Sequence, residues 1–195
     1  MKYTLYLLAL AGLLSCTNSG NVNFSHTQEM PGSDTTFQTT DYDAMFGGIK
    51  TAQYTLAALV KKEPNLSTFA VMIEQADLAA ALVEETSLTL FAPTNEAFAS
   101  WPQDSVNMLM KPEHRAQLIR LLQAHMLLRQ ADAASLSTNP SIETSGGEYA
   151  AVTVQDDTVS IGGATIMKGD VRASNGTLHV VDKVITPVES RLERY

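Results

Sequence analysis

The chain has 195 residues, with 13 Lys plus Arg against 21 Asp plus Glu, a formal net charge of −8 and a single cysteine. That balance argues against nucleic acid as a partner, because neutralising phosphates needs clustered Lys and Arg, and it gives no electrostatic hold on anionic lipid. One cysteine excludes an internal disulfide and a cysteine-rich zinc site.

The first segment in chain order reads as a processing signal. Lys2 supplies a short positive start, and Tyr3 to Leu14 form an apolar run too short and too early for a comfortable membrane span. Leu13-Leu14-Ser15-Cys16 resembles the lipobox of bacterial lipoproteins. In that reading residues 1–15 are removed and Cys16 carries the lipid that holds the chain on the membrane. The competing reading is an ordinary signal peptide, or an uncleaved anchor, with an incidental cysteine. Thr17 stands where lipoproteins retained in the inner membrane carry Asp, so resemblance to sorting rules implies the outer membrane. Residues 16–48 are rich in Ser, Thr, Asn, Gly and Asp and lack periodicity, which predicts a flexible tether, with Phe37, Tyr42 and Phe46 as candidates to pack on the domain edge.

Residues 49–189 carry a globular pattern. Leu56, Leu59 and Val60 mark a helical face that ends at Glu63-Pro64-Asn65. Ser67 is placed to cap a second helix bearing Phe69, Met72, Ile73 and Ala76, and a third helix is expected from Leu78 to Glu84. Ser87 to Ala92 reads as a strand broken by Pro93, after which Thr94 caps a helix with Glu96 in its first turn. Pro112-Glu113 opens the longest helix, with a stripe through Leu118, Leu121, Leu122, His125 and Met126. Beyond Asn139-Pro140, short strands are expected at Tyr149–Val154, Thr158–Ile161 and Ala164–Met167, separated by turns at Gln155-Asp156-Asp157 and Gly162-Gly163. A last pair of strands flanks Asn175-Gly176, read as a type I′ hairpin turn. The tail 190–195 is charged and expected to fray.

Two long segments carry a family resemblance. Thr89-Leu90-Phe91-Ala92-Pro93-Thr94-Asn95-Glu96-Ala97-Phe98 and Gly169 to Pro187, through Asp170-Val171, Ser174-Asn175-Gly176, Leu178-His179-Val180-Val181-Asp182 and Val184-Ile185-Thr186-Pro187, resemble the opening and closing signatures of the fasciclin domain. Between them Leu121-Leu122-Gln123-Ala124-His125 resembles the family's Leu-Leu-x-Tyr-His, with Ala124 where tyrosine is usual. The resemblance implies an α+β fold, a β-wedge or sandwich with the N-terminal helices packed at one end, and a non-catalytic role in adhesion or interaction. It implies no cofactor, and a protein or glycan ligand at the cell envelope. A periplasm-facing accessory subunit of an envelope complex, and a hydrolase or small-molecule binder, are the alternatives.

Candidate residues sort by chemistry. The resemblance implies structural roles for Thr94, His125, Asn175, Gly176, His179 and Asp182. A histidine ring among apolar residues can join two backbone groups through its two nitrogens, and neither His125 nor His179 has the close His or Cys partner that a metal site requires. No serine sits in a G-x-S-x-G elbow, and the paired acids Glu84-Glu85 and Asp156-Asp157 fall at a helix end and a turn, where they read as solvated charge. Asp170-Val171 matches the place of an Asp-Ile pair linked to integrin engagement in animal fasciclin proteins, which makes it the candidate partner-binding pair; the competing reading is a turn residue with a structural hydrogen bond.

Overall fold

A computed structural model of the chain describes residues 41–186. The Cys16 lipobox, the tether up to residue 40 and the tail 190–195 lie outside the described residues. The tether boundary at 48 is too late, because Met45 is buried in the core and Tyr42 and Phe46 pack against it.

Helix α1 (Leu56–Lys62) starts at Thr55, whose hydroxyl accepts from the Ala58 N–H, and buries Leu56, Leu59 and Val60. A 3-10 turn at Pro64–Leu66 then leads straight into α2 (Ser67–Gln75). Ser67 is therefore inside the helix and does not cap it. Its orphan donors are met from a distance by Asn95, whose Oδ1 accepts from the Thr68 N–H at 2.9 Å while Nδ2 donates to the Pro64 carbonyl at 2.9 Å. The third helix shrinks to α3 (Ala81–Glu84). Strand β1 (Leu88–Pro93) leads into α4 (Asn95–Ala99), capped by Thr94 as its spacing predicts. Helix α5 (Gln103–Leu109) had no clear apolar stripe and was not anticipated.

The longest described helix, α6 (Arg115–Ala124), stops before the end of its expected stripe. His125 occupies its C-cap, and Met126–Leu127 form β2, paired antiparallel with β1. A short α7 (Ala133–Ser137) follows, held by a reciprocal capping box between Asp132 and Ser135. Then come β3 (Ser141–Glu143), β4 (Tyr149–Gln155), β5 (Thr158–Ile161), β6 (Ala164–Ala173) and β7 (Gly176–Val181). The tight turns between β4, β5 and β6 place Asp156, Asp157, Gly162 and Gly163 at positive φ, as their residue types predict.

The described strands form a seven-stranded sheet in the order β2-β1-β7-β6-β5-β4-β3. Neighbours are antiparallel except β1 and β7, which pair in parallel from Leu88↔Gly176 to Pro93↔Val181. Strand β6 is the corner of the fold. Its first residues pair with β5, the remainder pairs with β7, and two register shifts around Lys168 bend it. Period-two alternation then divides the apolar residues between two cores. Leu90, Leu178 and Val180 join the helices in one, while Phe91, Val181, Ile142 and Ile161 form the other under the outer strands. Every residue of β1 and of β7 is buried, so the central pair is covered on both faces.

Asn175-Gly176 corrects the hairpin reading. Ala173 pairs with Gly176, so the two-residue connection is Ser174-Asn175, and neither Asn175 nor Gly176 is among the residues at positive φ. Asn175 is buried instead, its Oδ1 accepting from the Leu56 N–H at 2.9 Å. Its Nδ2 donates to the carbonyls of Leu82 and Glu85. One side chain thus closes the start of α1 and the end of α3. Gly176 is glycine because a Cβ there would collide with the Leu88 carbonyl across the parallel pair.

Substituting this corner tests the argument. Asn175→Ala strands a buried N–H and two carbonyls and should lower unfolding stability by about 2–4 kcal/mol. Gly176→Ala should lower it by about 2–3 kcal/mol through overpacking against the β1 backbone. Urea midpoints within error of the parent chain for both variants would refute this account.

Candidate functional site

The two buried histidines are the natural suspects for chemistry, and both rings are fully occupied. At the end of α6, His125 Nδ1 lies 2.8 Å from the Leu121 carbonyl, while Nε2 accepts from the Ile185 N–H at 2.9 Å. Only the neutral tautomer protonated on Nδ1 satisfies both bonds. Phe69 covers the ring with centroids 5.6 Å apart, and burial pushes the pKa down to about 4, against a smaller upward pull from the Leu121 carbonyl. His125 thus links the end of α6 to the residues that follow β7.

His179 uses the opposite tautomer. Nε2 donates to the Ala131 carbonyl at 3.0 Å, and Nδ1 accepts from the Asp170 N–H at 3.3 Å. The ring stacks on Phe91, its register partner in β1, at 5.5 Å. Burial lowers its pKa, opposed by the Ala131 carbonyl and by the charges of Asp170 and Asp132. With both nitrogens bonded to backbone, neither ring has a lone pair or proton to offer a substrate.

Asp170 lies at the second register shift of β6, at φ 58°, a conformation that Asp tolerates better than most residues. Its Oδ1 accepts from the Ala133 N–H at 2.9 Å, in the first turn of α7. Val171, its neighbour in the candidate pair, is 7% exposed and part of the helix-side core. Only Asp170 of the two presents a side chain to solvent, because pairing of Val171 with Leu178 turns the valine inward. Asp182 is engaged away from His179, its Oδ1 accepting from the Thr165 N–H at 2.6 Å.

Around Asp170 an open polar cleft of about 480 Å³ is lined by Gln130, Asp132, Ser135, Arg172 and Thr177. Hydrogen bonds from Ser135 lower the pKa of Asp132 and keep it ionised. Thr89 holds the nearby backbone, its hydroxyl donating to the Arg129 carbonyl at 2.7 Å and accepting from the Ala131 N–H at 2.8 Å. The sequence reading missed Asn95, Thr89 and Asp132, although Asp132 with Ser135 three residues later carries the spacing of a cap. Among the described residues, no group of three His, Cys, Asp or Glu side chains is placed to hold a metal ion, and no helix is long and apolar enough to cross a membrane.

Burial of neutral histidines makes stability depend on pH with a definite sign. A folded-state pKa below the unfolded value means that the unfolded chain binds more protons, so stability is complete above about pH 6.5 and falls as pH drops toward 4. The His125 contribution is on the order of 3 kcal/mol across that window. Urea melts between pH 4 and 7 should show the loss, and His125→Gln, less stable at pH 7, should show a flatter profile. A profile as steep in the variant as in the parent would assign the dependence to other groups.

Comparison with known proteins identifies the family. The Fasciclin domain family profile matches residues 64–187. Protein sll1483 of Synechocystis is 34% identical over 151 residues, 77% of this chain and 83% of that protein. The immunogenic protein MPB70 of Mycobacterium bovis is 27% identical, with 70% of each chain covered. Human periostin is also 27% identical over 73% of this chain, but the match spans only 17% of periostin. Among solved structures, a FAS1 domain pair from the insect cell adhesion molecule fasciclin I aligns with a TM-score of 0.47 and 21% identity, covering 66% of this chain and 48% of that one. By the family match and the sll1483 identity, the chain belongs to the fasciclin domain family.

Proposed function

We propose that this chain is an exported, lipid-anchored protein whose fasciclin domain recognises protein or glycan at the cell envelope, without catalysis. The observation that carries the non-catalytic reading is the double commitment of His125 and His179 to backbone groups. A general base needs a free nitrogen within reach of a substrate proton, and these interior rings have none. The anchor rests on Leu13-Leu14-Ser15-Cys16, and placement at the outer membrane on Thr17. In this reading Thr94, His125, Asn175, Gly176, His179 and Asp182 serve the fold, and recognition falls to exposed surface.

Two measurements test the proposal. Metabolic labelling with a fatty acid should tag the parent chain and leave Cys16→Ala unlabelled; equal labelling would remove the anchor. Protease shaving of intact cells, with a periplasmic marker as control, should release the domain while the marker survives. Protection until the envelope is opened would replace surface adhesion with an accessory role among periplasmic partners.

Asp170 is separable from the fold. Asp170→Asn keeps an acceptor for the Ala133 N–H and tolerates the same φ, so its urea midpoint should match the parent's. Cell attachment is expected to stay unchanged as well; a drop at constant midpoint would make the carboxylate a partner contact.

A further inference from the structure

The two edge strands of the described sheet, β2 and β3, come together at one point. Just after β3 the Ser145 N–H donates to the Met126 carbonyl of β2 at 2.7 Å, and the Ser145 hydroxyl donates to the Gln123 carbonyl at 3.0 Å. Away from that contact the edges part. An open cleft of about 370 Å³ has Leu128 and Arg129, which follow β2, on one wall and Glu143 and Ser145 on the other.

Backbone register decides which groups face this cleft, because bonded and unbonded pairs alternate along an antiparallel ladder. Thr144 N–H donates to the Glu148 carbonyl at 2.8 Å and Val152 N–H to the Pro140 carbonyl at 2.9 Å, so even-numbered residues in and beside β3 turn their main-chain groups to β4. Odd-numbered residues turn theirs the other way, as the Ser145–Met126 bond confirms. The N–H and C=O of Ser141 and Glu143 therefore point off the sheet on the side of β2, and among the described residues nothing bonds to them.

Unpaired main-chain groups along a strand edge define their own complement, an extended backbone that donates and accepts at every second residue. Two features speak against a second copy of this chain as the source. The wall of Leu128 and Arg129 leaves room for one strand rather than the edge of another sheet, and symmetric pairing of β3 would set Glu143 close to its own mate. Side chains around the edge add specificity. Leu128 is 65% exposed. Arg129 is positioned by its carbonyl, which accepts from the Thr89 hydroxyl at 2.7 Å. Among the described residues no carboxylate pairs with the Arg129 guanidinium, and no cation pairs with Glu143.

We propose that the β3 edge takes up an extended segment of a partner protein as an added strand, with a basic residue opposite Glu143, an acidic residue reaching Arg129 and an apolar side chain over Leu128. The inference deepens the recognition role proposed above and rests on it, choosing protein over glycan and naming the surface.

The probe is a library of random ten-residue peptides displayed on phage, selected against the purified full chain in detergent micelles. Selected peptides should be rich in β-branched residues and carry an acid and a base. With such a peptide bound, amide-resolved NMR hydrogen exchange should slow at Ser141 and Glu143 by at least about tenfold, and stay unchanged at Ile142 and Thr144, which already face β4. Methylating the edge-facing backbone nitrogens of the peptide should abolish binding with no change to the protein. Glu143→Pro removes a donor that points off the sheet, so its urea midpoint should match the parent's while binding falls at least about tenfold. Glu143→Lys and Arg129→Glu should each weaken binding about fivefold by setting like charges together. No peptide selected above background, or binding that survives both Glu143→Pro and peptide methylation, would overturn the proposal. Protection of Ser141 and Glu143 in the free chain would overturn it as well, giving the edge to a second copy if protection rises with concentration and to a segment of the same chain if it does not. Attachment assays on parent and deletion strains separate the two ideas. Attachment lost on deletion, with no peptide bound, leaves the recognition role standing and removes the strand edge. Attachment unaffected by deletion, with peptides bound as described, removes the envelope role and keeps the edge.

Discussion

Where β1 and β7 run side by side, each strand is covered on both faces, so every backbone N–H and C=O there must find a partner in the sheet or at a helix end. The parallel pairing serves the groups that point between the two strands, while β2, β6 and the His125 carbonyl take groups on the outer sides. It brings together segments almost ninety residues apart in the chain, Leu88 to Pro93 and Gly176 to Val181. Gly176 lets the pair begin, because any side chain there would strike the Leu88 carbonyl. Asn175, one residue earlier, ties the same corner to the start of α1 and the end of α3. Helical layer, central pair and hairpin are thereby locked through two adjacent residues.

The histidines extend the same logic to the other seams. His179 faces Phe91 across the central pair and clips the segment before α7 to the bend in β6. His125 joins the end of α6 to Ile185, where the chain leaves β7. Each replaces a missing backbone partner with a ring that can donate at one nitrogen and accept at the other, which no apolar residue of that size can do. Groups spent in this way hold the scaffold, while Asp170 and its neighbours line an open polar cleft at its surface.

Legibility from the sequence followed the range of each interaction. Thr55 and Thr94 cap helices from within their own segments, and Asp156-Asp157 and Gly162-Gly163 bend the chain by local φ preference. Thr94 and both turns were readable for that reason. Ser67 misled because a 3-10 turn runs into α2 without a break, and the cap comes instead from Asn95, far along the chain. The α6 stripe misled at its end because apolar residues serve a helix and a buried strand equally, and only pairing with β1 makes Met126 and Leu127 a strand. Val171 shares the candidate partner-binding pair with Asp170 in the sequence, and the register with Leu178 turns it into the core.

From its residues alone the chain determined its family, its α+β class, its acidic surface and the lack of a thiol for chemistry in the domain, since these depend on composition and contiguous signatures. Tertiary structure decided what those signature residues do. Asn175-Gly176 has the composition of a tight turn, yet the approach of β1 makes it a buried brace, because a side-chain amide surrounded by unpaired backbone groups is worth more there than a left-handed turn would be. In the same way, only the packing of distant segments determines that the histidines have both nitrogens occupied.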